Sequence, residues 1–78
     1  MTQEEFAAMM PYISVDLIAM IEKRQNIPGE EAVKKLYASA LYEVLENEET
    51  KVWQYSTEML YSLFEQEEKT GTIQFPDI

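Results

Sequence analysis

The chain contains neither cysteine nor histidine, and that absence decides what can hold it together. No disulfide and no Cys/His zinc site can form, so apolar packing has to do the work alone. At 78 residues the chain supports one domain and one modest core. A domain of this size buries only about 60–65% of the surface its unfolded chain exposes. Good helix packing or oligomerisation is the usual remedy for so small a core.

The apolar residues recur at helical spacing, which makes the expected fold all-α, a small bundle of three to four short helices. Residues 1–70 read as one helical domain and residues 71–78 as a C-terminal tail. Thr2 and Glu5 form a capping box that opens a first helical segment, with Phe6, Met9 and Met10 on its apolar side. Pro11 predicts a break or kink, because proline has no backbone donor and disfavours helical geometry at Met10. From Tyr12 to Gln25 one stripe is Ile13, Leu17, Met20 and Ile21, and a second is Tyr12, Val15, Ile18 and Ala19. Asn26-Ile27-Pro28-Gly29 is a stop-and-restart signal. An acid-started helix then runs to about Glu46, with Val33, Leu36, Tyr37, Ala40, Leu41 and Val44 towards the core and Leu45 at its margin. Asn47–Thr50 reads as a loop and Lys51–Tyr55 as an extended connector. Ser56 caps a final helix whose core face is Met59, Leu60, Leu63 and Phe64, and Gly71 ends it.

The chemistry open to such a chain is narrow. Without histidine or cysteine the commonest general base and the strongest side-chain nucleophile are missing. The two glycines stand at helix boundaries, so no glycine-rich phosphate loop exists. Glu46, Glu48 and Glu49 crowd one stretch without the spacing of a calcium loop. No catalytic residue, no metal ligand and no cofactor is therefore expected, and the chain is not expected to be an enzyme. Fifteen acidic residues stand against six basic ones, for a net charge of -9. Such a field repels phosphates and anionic membranes and attracts basic proteins. No nucleic acid and no membrane is expected as a partner, and the acid-rich start with no apolar span points to the cytoplasm. Lys23, Arg24, Lys34 and Lys35 nevertheless gather around the turn at 26–29. They keep a helix-turn-helix or ribbon-helix-helix-like DNA-binding regulator as the alternative function.

The expected function is a non-catalytic protein-interaction module whose partner is a more basic protein. Candidate contacts are the aromatic and surplus apolar residues: Tyr12, Val15, Ile18, Tyr42, Trp53 and Tyr55. Trp53 reads first as a plug at the end of the core. The second stripe of the Tyr12–Gln25 helix has no evident cover, which predicts a homodimer through that stripe, with a Phe6–Met10 segment folded back over it as the alternative.

The runs Ile27-Pro28-Gly29-Glu30-Glu31-Ala32, Tyr37-Ala38-Ser39-Ala40-Leu41-Tyr42 and Glu48-Glu49-Thr50-Lys51-Val52-Trp53, followed by Ser56, resemble short bacterial proteins of the DUF3791-like kind. The resemblance spans residues 12–68. It implies a helix, a turn, an acid-started helix, an aromatic connector and a short last helix. Pro28 departs from it, standing where a serine-like cap is expected. Some such proteins lie near toxin-like genes, which implies an antitoxin-like or accessory context and carries over no functional residue.

Overall fold

The computed structural model describes residues 2–73. Four α-helices follow one another: α1 Gln3–Gln25, α2 Gly29–Tyr37, α3 Ala40–Leu45 and α4 Thr57–Thr70. Two 3₁₀ turns, Glu48–Thr50 and Val52–Gln54, join α3 to α4. No strand occurs among the described residues. The fold is the expected small helical bundle.

α1 departs from expectation. Its 23 residues run through Pro11 without a break, a length of roughly 35 Å at 1.5 Å per residue. It therefore spans the molecule, whose longest extent is 35 Å. Thr2 accepts from the Glu5 amide and Glu5 reaches back to the Thr2 amide, so the capping box starts the helix well ahead of the proline. Phe6 is buried upstream of Pro11 and Ser14, Leu17 and Ile21 downstream. Burial on both sides keeps the helix continuous through the proline and outweighs the missing donor. The Phe6–Met10 segment accordingly does not fold back over the rest of the helix.

The acid-started helix is also not continuous; it ends at Tyr37 and restarts at Ala40. Its buried residues are Ala32, Leu36, Leu41 and Leu45. Within each pair the spacing is four, but Leu36 and Leu41 are five apart, which on a straight helix turns them about 140° from each other. Breaking the helix brings both pairs onto the core. Ser39 makes the break by accepting from the Tyr42 amide at 3.1 Å. Glu67 of α4 then accepts from the Ala40 and Leu41 amides at 2.8 and 3.1 Å. As a result Leu45 is fully buried, while Tyr37 and Ala40, expected inside, are exposed.

The connector is coiled rather than extended. The Thr50 hydroxyl donates to the Val44 and Asn47 carbonyls, both at 2.8 Å, and the Asn47 side chain accepts from the Glu49 amide. Lys51 takes a left-handed conformation at φ 61 and drops Val52 into the core. Without a neighbouring strand to pair with, the β-branched and aromatic residues here close turns instead. α4 starts at Ser56 as expected but is rotated slightly: Tyr61 is buried and Met59 is 40% exposed. Gly71 ends it at φ 79, a left-handed position that glycine takes without strain. Ile73 packs on the core; the rest of the expected tail, 74–78, lies outside the described residues.

Candidate interaction groove

The second stripe of α1 divides in the fold. Ile18 turns partly into the core, whereas Tyr12 and Val15 are 73% and 63% exposed. Beside them lies a groove of about 340 Å³ between α1 and the bend that joins α2 to α3. α1 supplies one wall through Ala7, Met10, Pro11, Ser14, Val15 and Ile18, and Tyr37 and Tyr42 form the other. Ser39 is what places both tyrosines there. By ending α2 at Tyr37 and restarting α3, it turns the two rings against each other, with centroids 4.6 Å apart and planes at 39°.

The groove is lined mainly by apolar side chains and carries the hydroxyls of Ser14, Tyr37 and Tyr42. Ser14 is buried although polar and meets the Tyr42 phenol across the groove. Burial pushes the Tyr42 phenol above its ordinary value, the Ser14 hydroxyl pulls it back, and Tyr37 and Glu46 push it further up. The Tyr42 phenol is thus already engaged by the Ser14 and Tyr37 hydroxyls. On the α1 wall Pro11 leaves an acceptor, since it has no N–H to give to the Ala7 carbonyl one turn earlier.

The other candidate residues sit elsewhere. Trp53 is half-buried, with its ring edge-on to Phe6 at 6.0 Å and its indole nitrogen donating to the Glu48 carbonyl at 2.8 Å. Lys51 lies over its face at 5.8 Å. This placement matches a plug joining the start of α1 to the connector. Tyr55 is half-buried against the same core. The fold therefore gathers Val15, Ile18 and Tyr42 at one groove with Tyr12 beside it, and leaves Trp53 and Tyr55 out. Tyr37, which sequence reasoning assigned to the core, is 55% exposed at the groove.

The cations around the Asn26–Pro28 turn are partly engaged. Arg24 pairs with Glu58 at 3.2 Å and stands over the Tyr61 ring at 5.6 Å. Lys35 contacts Gln25 at 2.9 Å and Glu68 at 3.3 Å. Lys23 and Lys34 pair with no carboxylate among the described residues. Within the same residues no three acidic side chains converge as metal ligands would, and no helix is long and apolar enough to cross a membrane. No protein-family model matches the chain, and no curated protein or solved structure matches it at a significant level.

Proposed function

We propose that this chain is a non-catalytic protein-interaction module that binds its partner through the groove face of α1. The observation that carries the reading is the exposure of Val15 and Tyr37 in the two walls of a mainly apolar groove, with exposed Tyr12 one turn before Val15 on α1. Single exposed apolar residues are ordinary on a protein surface, but a contiguous set bordering a groove marks a contact site. Tyrosine suits such a site because it offers large area with little conformational freedom to lose. The net charge of -9 favours a basic protein, in keeping with an antitoxin-like or accessory role. A homodimer through the same stripe is the competing use of this face. DNA binding through the 26–29 turn has less support, since Arg24 and Lys35 are already engaged with carboxylates.

Site-specific photo-cross-linking in the native cell tests the reading. Tyr12 is replaced by benzoylphenylalanine in one variant and exposed Ser62 of α4 in a control. An adduct of defined mass at Tyr12, absent at Ser62 and lost on adding Val15→Lys, is the expected result. No adduct at Tyr12, or equal adducts at both positions, removes the proposal.

A further inference from the structure

We infer that the groove takes a basic, apolar segment of another polypeptide, which inserts an aliphatic side chain between Val15 and Tyr42 and sets lysine or arginine beside Glu4, Glu22 and Glu46. The inference rests on the interaction reading above and names the chemistry of the partner. Glu4, Pro11, Val15, Ile18 and Glu22 fall at i, i+7, i+11, i+14 and i+18 along α1, the spacing of one helix face. An acid thus follows each end of the apolar wall, roughly 27 Å apart at 1.5 Å per residue, with the Glu22 carboxylate lying against Gly29 at the start of α2. On the opposite wall Glu46 follows Tyr42 by one turn and acts on its phenol through charge.

Among the described residues no cation lines the groove. Arg24, Lys35, Lys51 and Lys69 are each paired with a carboxylate elsewhere on the molecule. Lys34, one turn before Tyr37, borders a separate depression with Glu30 and Glu31. An apolar slot framed by acids in this way discriminates by sign: a cationic segment gains at both ends, and an anionic one is repelled. A second copy of this chain would bring net -9 to the same acids. A volume of about 340 Å³ lies at the small end of ligand sites and suits one or two side chains of a docked segment.

The test uses the isotopically labelled full chain and two synthetic peptides of about eighteen residues, a length that spans the two acids as a helix. One carries leucine and lysine at helical period; the other has glutamate for every lysine. The lysine peptide is expected to shift the amide resonances of Val15, Ile18, Tyr37 and Tyr42, and the glutamate peptide to leave them in place. Replacing Glu4, Glu22 and Glu46 together by Gln should weaken binding about tenfold, as three rim contacts removed at once would. The same change at exposed Glu30, Glu31 and Glu49 alters net charge equally and should cost much less. Val15→Lys, at an exposed position that the fold tolerates, should abolish the groove shifts.

Equal losses from the two triple variants would reduce the effect to diffuse attraction and overturn the inference. So would comparable binding of the glutamate peptide, or groove shifts that grow with protein concentration alone, which would make a second copy the occupant. None of these outcomes decides the cross-linking result, so the partner's chemistry and the existence of a partner fail separately.

Discussion

Glu67 shows how much one side chain can decide in so small a molecule. Its carboxylate accepts from the amides of Ala40 and Leu41, two of the donors that the first turn of α3 leaves without helical partners. Ser39 satisfies a third, that of Tyr42. Charge-assisted bonds to amides at a helix start are stronger than neutral ones and oppose the positive end of the helix dipole. α3 has only six residues, too few to persist without such support. Glu67→Ala is expected to destabilise the fold by about 1–2 kcal/mol, the scale of a lost N-cap, read as a lower urea midpoint at unchanged slope. Glu67→Gln keeps an acceptor and should cost less. If the two variants behave like wild type, water replaces the carboxylate freely and Ser39 alone sets the bend.

At the scale of elements, Pro11, Pro28 and the two glycines were readable as punctuation only where burial agreed with them. Pro28 and Gly29 mark a real boundary, with Asn26 in a left-handed cap at φ 53. Pro11 does not, because Phe6 ahead of it and Leu17 behind it are both buried, which no local rule about proline reports. The reverse happened at Ser39: no proline or glycine stands there, yet the five-residue step from Leu36 to Leu41 already excludes one straight helix. That step was open to reading; the capping carboxylate 27 residues away was not. The candidate site was legible to the same degree. Val15 stood out as surplus apolar surface on α1, but the facing wall of Tyr37 and Tyr42 depends on the bend at Ser39 and could not be placed without it. Pro11 also yields a prediction at this scale. Proline inside a helix costs about 3 kcal/mol relative to alanine, so Pro11→Ala should raise stability by about 1–3 kcal/mol once its stiffening of the unfolded chain is subtracted. It should also restore a donor to the Ala7 carbonyl and change the groove wall, weakening capture of the lysine peptide. A destabilised variant would show instead that the contact between Phe6 and Trp53 needs a bend only proline provides.

Across the whole molecule, charge works against compactness. The chain carries net -9, and its described residues form a body with a Cα radius of gyration of 12.1 Å. The screening length is about 30 Å at 0.01 M salt and about 10 Å at 0.1 M, so at low salt every carboxylate acts on every other, and at moderate salt most no longer do. Unfolding moves these charges apart and relieves the repulsion. Against that stand, among the described residues, four ion pairs, Arg24–Glu58, Lys35–Glu68, Lys51–Glu48 and Lys69–Glu65, which salt also weakens. In each of them at least one side chain is half exposed or both lie near one-third exposed. Exposed pairs contribute about 0.2–1 kcal/mol apiece, and the two spanning three or four residues persist in part in the unfolded chain. The repulsion is therefore the larger quantity, and sodium chloride should stabilise the fold. A gain of about 1 kcal/mol between 10 and 300 mM corresponds to about 4–8 °C in Tm for a domain of this size. Thermal unfolding followed by circular dichroism across that range measures it directly. A Tm that falls with salt would mean that the ion pairs, Lys35–Glu68 above all, hold the bundle together more than its net charge strains it.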